Sequence, residues 1–136
     1  MQAVREAAEV LRDEATALMP ALLKDCKQID WIYNPLEYAW APHEEWIKRF
    51  AGNGAKTLLV GMNPGHGMGN TGVPFGCPEQ VRGFLEITDL EVRHPSPAHP
   101  KRVVYGLDCP KPEVSGRRIW SFLSEHYETP EAVSKD

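Results

Sequence analysis

The strongest constraint on the fold is a short apolar run that ends at a glycine and opens into a loop rich in glycine and proline. Residues 55–60 read Ala-Lys-Thr-Leu-Leu-Val, residues 61–65 read Gly-Met-Asn-Pro-Gly, and residues 71–76 read Thr-Gly-Val-Pro-Phe-Gly. An apolar run of this length is typical of a buried strand of a parallel sheet. Open α/β sheets bind ligands where their strands end, so the pattern predicts an α/β fold with a binding loop after residue 60.

Two side chains of this loop carry chemistry. Asn63 is the lone polar amide at the predicted strand end, and an amide can hold a water molecule by accepting one hydrogen bond and donating another. Phe75 offers a flat apolar face on which an aromatic ring can stack. The alternative is a buried strand followed by a glycine-rich turn with no chemical purpose.

Four ordered segments together resemble the single-strand-selective monofunctional uracil-DNA glycosylases, within the uracil-DNA glycosylase superfamily. They are residues 32–40 with Pro42 and His43, the two halves of the loop, residues 99–107, and residues 113–116. The span covers most of this chain. We expect it to correspond to the N-terminal portion of such an enzyme, as one glycosylase-like domain over residues 1–136 that lacks the C-terminal half.

The resemblance implies a three-layer αβα fold with a central, mainly parallel sheet, incomplete in this chain. It implies a DNA repair glycosylase, a hydrolase that cleaves the N-glycosidic bond of uracil and related modified uracils in DNA and so starts base excision repair. Asn63 would be the catalytic residue that positions water, while Met62, Gly65 and Phe75 would bind the flipped base. A lysine nucleophile, a metal and a cofactor are not expected, and we expect a monomer.

Charge is unevenly distributed along the chain. The net charge is -4, yet residues 91–120 carry six Lys or Arg against three Asp or Glu. A basic strip can meet phosphates, and its candidate DNA contacts are Arg93, Lys101, Arg102, Arg117 and Arg118. A solvated loop is the competing explanation.

Two departures from the family pattern bear on activity. The loop is one residue shorter than usual, with His66 where the family has a Pro-Phe pair, and the family's second catalytic motif is expected beyond this chain. Residues 94–97 read His-Pro-Ser-Pro, like that second motif, but their position in mid-chain predicts that His94 is a decoy. The alternatives are therefore a non-catalytic DNA-binding fragment of such an enzyme, which binds single- or double-stranded DNA without turnover, and an unrelated small α/β module.

The remaining signals concern compartment and helices. Three widely spaced cysteines predict an intracellular protein, in the nucleus if eukaryotic and in the cytoplasm if bacterial. The charged N-terminus argues against a secretory signal, and no apolar run approaches the length of a membrane segment. Periodicity predicts an amphipathic helix over residues 2–19 with one buried face, kinked or ended by Pro20, after which residues 21–24 can resume it. Further helices are predicted over residues 42–50, 78–85 and 114–123, the last with Ser115 as its N-cap.

Overall fold

The described part of the chain is helical. The computed structural model describes residues 1–51, 54 and 56–135. Its helices, in chain order, are α1 (Gln2–Asp25), α2 (Pro35–Tyr38), α3 (Trp40–Phe50), α4 (His66–Thr71), α5 (Pro78–Gly83), α6 (Val114–His126) and α7 (Pro130–Val133), with a 3₁₀ turn at Gly106–Asp108. Within these residues, none of the helices combines the length and the hydropathy needed to cross a bilayer.

The predicted αβα fold with a central parallel sheet is wrong for this structure. The described residues contain no strand, and residues 56–60 run without regular structure. Leu58 is 84% exposed and Val60 79% exposed, although the prediction placed both in a sheet. A strand is stable only when neighbours pair with its backbone, and no described segment pairs with this one. Ala55, the first residue of the predicted strand, lies outside the described residues.

The long N-terminal helix differs from its prediction in its burial. α1 runs on after Pro20 to Asp25, so the helix resumes beyond the proline, but none of its residues is buried. The apolar residues of the predicted inner face, such as Leu11 and Leu18, are each 58% exposed. Because α1 packs mainly against α2 and α3 among the described elements, most of its apolar stripe has no helix to cover it.

Polar contacts hold α1 in place. The Asn34 amide Nδ2 donates to the carbonyl oxygen of Arg12 at 2.9 Å and contacts Thr16 Oγ1 at 3.0 Å. The Arg5 guanidinium pairs with Glu44 of α3 at 2.9 Å, and the Arg12 guanidinium lies 4.7 Å above the ring of Trp40. The position of α1 therefore depends on groups at the start of α2 and along α3.

The main hydrophobic core lies among α3, α5, α6 and the loops between them. Its buried members are Phe50, Val73, Val81, Leu85, Ile87, Leu107 and Trp120. Three of the predicted helices are confirmed, with the inward positions Ile47 and Phe50 in α3, Val81 in α5 and Trp120 in α6. The N-cap prediction for α6 is wrong: Glu113 caps the helix, because its carboxylate reaches the amides of Ser115 and Gly116.

Candidate functional site

An open cleft of about 830 Å³ separates the apolar stripe of α1 from the loop after residue 60. One wall consists of α1 side chains, the floor of residues 32–36, and the opposite wall of the loop. Among the lining residues are Leu11, Leu18, Met62, Asn63, Gly65, Phe75 and Glu113. The surface that the sequence assigned to a hydrophobic core is thus one side of a cleft.

All four predicted site residues of the loop line this cleft. Met62 is 98% exposed, Asn63 and Gly65 are also exposed, and Phe75 is half-buried. The structure therefore brings together the residues that the sequence singled out, although the two halves of the loop are separated by the whole of α4. Their individual functions stay predictions.

Phe75 is held in an uncommon backbone conformation. Its φ angle is +50°, in the left-handed region that non-glycine residues seldom adopt. The Phe75 carbonyl oxygen accepts hydrogen bonds from the indole Nε1 of Trp120 at 3.0 Å and from the amide of Cys77 at 2.9 Å. Such strain persists where the surrounding structure enforces it, and it clusters at functional sites. The core residue Trp120 thereby fixes the aromatic wall of the cleft.

Two rings from α2 and α3 anchor α4, which lies between the two halves of the loop. The Tyr38 hydroxyl donates to the Gly69 carbonyl at 2.5 Å, and His43 Nδ1 donates to the Gly72 carbonyl at 2.7 Å. Burial raises the pKa of Tyr38, with Tyr33 and Glu37 adding to the effect, so its hydroxyl stays protonated. Burial lowers the pKa of His43, and its hydrogen bond to Gly72 offsets part of this. Both rings are therefore neutral donors at physiological pH.

Glu113 lines the cleft as well, although the sequence pattern did not single it out as a site residue. Its two carboxylate oxygens accept from Ser115 N at 3.0 Å and from Gly116 N at 2.5 Å. Its side chain also packs so close to Gly67 of α4 that a Cβ there would lie 2.8 Å from both Glu113 Cβ and Cγ. Among the described lining residues it is the one charged side chain. The sequence feature that could have identified Glu113 is its position three residues before Gly116, which is the spacing of a helix N-cap.

The predicted DNA-contacting residues lie outside the cleft. Arg93, Lys101, Arg102, Arg117 and Arg118 are all exposed. The guanidinium of Arg93 pairs with Glu37 at 2.7 Å, and that of Arg117 lies 3.9 Å from Glu79. Their contact with DNA stays a prediction.

Two histidines that the sequence singled out occupy different places. His66 begins α4 next to the loop, and its ring lies 3.3 Å from Asn70 Nδ2 and 3.6 Å from Cys109 Sγ. His94 is exposed and lines a separate depression of about 570 Å³, together with Tyr105 and Asp108. His94 therefore does not share the cleft with Asn63.

Metal-binding residues do not converge in the described part of the chain, where no three His, Cys, Asp or Glu side chains gather as ligands for an ion. The expectation that the chemistry needs no metal stays a prediction. The cleft instead offers an apolar wall, an aromatic face, an amide and a carboxylate that is already bonded to two backbone amides.

Comparison with known proteins gives close relatives over part of the chain. No protein-family model matches it. The protein named single-strand selective monofunctional uracil DNA glycosylase in Bos taurus is 50% identical over 93 residues, which is 68% of this chain and 34% of that protein. The similarly named proteins of Rattus norvegicus and Mus musculus are 50% and 48% identical over 93 residues, 33% of each. The match thus spans about one third of the length of these curated relatives. By its sequence, the chain belongs to the family of the single-strand selective monofunctional uracil-DNA glycosylases.

Proposed function

We propose that this chain belongs to a DNA repair glycosylase that hydrolyses the N-glycosidic bond of uracil, and that the cleft beside α1 receives the base. The observation that carries the proposal is that Met62, Asn63, Gly65 and Phe75 line one cleft. Over 93 residues the chain is 50% identical to a protein named as a uracil-DNA glycosylase. A base inside a duplex cannot be reached, so the nucleotide must rotate out of the stack before it enters.

Each residue of the loop wall has its own function in uracil excision. The ring of Phe75 stacks on the base, while the backbone at Met62 and Gly65 borders its edge. The Asn63 amide holds a water molecule against C1′ of the sugar through one accepted and one donated hydrogen bond. The C–N bond breaks with its electron pair leaving on the base, the sugar develops oxocarbenium character, and the held water adds to C1′ and releases a proton.

The apolar surroundings suit a weak water positioner. With aliphatic α1 side chains on one wall and no Lys or Arg among the described lining residues, the cleft has little charge of its own besides the bonded carboxylate of Glu113. An amide does not ionise, so Asn63 orients water without adding charge near the departing anion. Positioning of this kind acts in the transition state more than in binding.

A uracil-containing single-stranded oligonucleotide, cleaved by alkali after excision, tests this proposal. We expect Asn63→Ala to lower the excision rate by roughly a hundredfold or more, with DNA affinity nearly unchanged. Thr57→Ala is the matched control, since Thr57 is an exposed residue of the irregular segment just before the loop and does not line the cleft. Wild-type excision by Asn63→Ala would falsify the assignment.

The second candidate is a DNA-binding module without turnover. It is favoured by the exposure of the loop: Met62 is 98% exposed, and residues 61–65 are all exposed. Base stacking on an aromatic is worth about 1–3 kcal/mol, so Phe75→Ala should weaken binding to a uracil-containing strand about tenfold or more. Two results together would establish this candidate over the first. The unsubstituted chain would bind uracil-containing strands selectively without excising uracil, and Phe75→Ala would abolish that selectivity.

A further inference from the structure

We propose that the rim of the cleft carries a second DNA contact, in which Trp31 stacks on a base flanking the one in the cleft and Lys101 and Arg102 meet the adjoining phosphates. The inference rests on the proposed function, because it takes the cleft to be where DNA binds. We call these three residues the Trp31 rim.

Trp31 is placed beside the cleft by the chain itself. Its two successors, Ile32 and Tyr33, line the cleft, while the Trp31 side chain is 38% exposed. The ring of His99 meets Trp31 edge-on, with ring centroids 5.4 Å apart and planes at 71°. His99 thus supports the indole from one direction and leaves a substantial part of it open to solvent. An open indole at the mouth of a binding cleft can stack on an unpaired base.

The same histidine holds the turn that carries two basic residues. The amide of His99 donates to the Tyr33 hydroxyl at 2.5 Å. Lys101 N then donates to His99 Nδ1 at 3.0 Å, and Arg102 N to the His99 carbonyl at 3.2 Å. The turn that carries Lys101 and Arg102 is therefore fastened to Tyr33 of the cleft floor. An aromatic platform with adjacent cations is the arrangement that proteins use to hold single strands.

The two basic side chains are available to phosphates. Both are exposed, and within the described residues neither takes part in an ion pair, unlike Arg93 and Arg117. One charge acts against the proposal, since Asp30 precedes Trp31 and is exposed. The local balance of Lys101, Arg102 and Asp30 remains positive by one, on a chain whose net charge is -4. A duplex has no free base face to offer, so the occupant is a single strand.

The test uses an undamaged single strand of about twelve thymines and fluorescence anisotropy. Trp31→Ala should weaken its binding about 5- to 150-fold, the range expected for the loss of one base stack, and Trp31→Phe should recover most of it. Phe122→Ala is the matched control: Phe122 is 59% exposed and packs against His126 at 4.4 Å, but it does not line the cleft. Equal losses in Trp31→Ala and Phe122→Ala would overturn the proposal.

Salt dependence tests the basic part of the Trp31 rim separately. Removing both cations, in Lys101→Ala with Arg102→Ala, should reduce the slope of log affinity against log salt by about 1.4, since each single-strand phosphate contact contributes about 0.7. Asp30→Asn should tighten binding. An unchanged slope excludes these two residues from the contact.

The same variants separate this proposal from that for the cleft. Thymine-strand binding should survive Asn63→Ala and Phe75→Ala, which act on uracil excision and uracil preference. If those two variants match the unsubstituted chain in uracil excision and in uracil preference, while Trp31→Ala loses affinity for the thymine strand, the cleft assignment fails and the Trp31 rim stands. If thymine binding is unaffected by Trp31→Ala while Asn63→Ala abolishes excision, the Trp31 rim fails and the cleft assignment stands.

Discussion

Gly116→Ala should change the free energy of unfolding through two effects of opposite sign, and the structure shows which of them is larger. Gly116 lies in the first turn of α6, against the backbone of Phe75. An added Cβ would overlap the Phe75 carbonyl oxygen and would lie 2.8 Å from Phe75 C and from Glu113 Oε2. Ordinary carbon contacts are about 3.5–4.0 Å, so the Phe75 backbone would have to move by roughly 0.7 Å or more.

The helical preference for alanine does not compensate for this overlap. Alanine is favoured over glycine in a helix by about 1 kcal/mol, less so in the first turn, whereas overpacking of rigid backbone costs about 1–3 kcal/mol or more. The displaced carbonyl also weakens the hydrogen bond from Trp120, worth about 1 kcal/mol. We therefore expect a net destabilisation of about 1–3 kcal/mol.

Urea unfolding of Gly116→Ala and of Gly69→Ala measures the difference. Gly69 is the matched control, because it also lies in a helix, yet an added Cβ there meets nothing within 4 Å. Gly69→Ala should be neutral or stabilising by up to about 1 kcal/mol. With a urea m-value of about 1–3 kcal/mol per molar, Gly116→Ala should lower the midpoint by roughly 1 M. If Gly116→Ala raises the midpoint as much as Gly69→Ala, α6 does not press on Phe75.

Three further predictions concern the surface and the anchors of the site. Neutralising Arg117 and Arg118 together should flatten the salt dependence of single-strand binding by about 0.7 for each phosphate that is no longer bound; an unchanged slope removes both from the interface. His94→Ala should leave uracil excision unchanged, because His94 lines a separate depression; a large fall in excision in the gel assay would show that it belongs to the reaction. Since burial lowers the pKa of His43, the unfolded chain, with an ordinary His pKa near 6.5, binds more protons in acid. The contribution of His43 to stability is therefore present above pH of about 6.5 and is lost as pH falls toward the folded pKa. Urea unfolding at two pH values should show that the free energy of unfolding depends less on pH in His43→Gln, which keeps a donor for the Gly72 carbonyl. An equal pH dependence in His43→Gln and in the unsubstituted chain would refute this account.

The family and the composition of the cleft's loop wall could be derived from the sequence alone. The spacing of the motif segments around Asn63 and Phe75 is local information. Glycine, proline, amide and aromatic residues at fixed offsets can be recognised in the sequence without a structure. The helices α3, α5 and α6 were predicted for the same reason, since their apolar spacing and the residues at their ends act within one or two turns.

Tertiary structure alone decided what happens to two apolar segments, residues 56–60 and the stripe of α1. The run at residues 56–60 has the composition of a strand, but a strand depends on pairing with distant chain, and the described residues supply no partner. The stripe of α1 has the periodicity of a buried face, yet it became the wall of a cleft because the helices beside it cover only part of its length. Periodicity reports that a face is apolar; which residues cover it, and whether any do, depends on contacts between segments far apart in the sequence. The same holds for Glu113 and Trp120, whose positions against α4 and Phe75 follow only from the packing of α6.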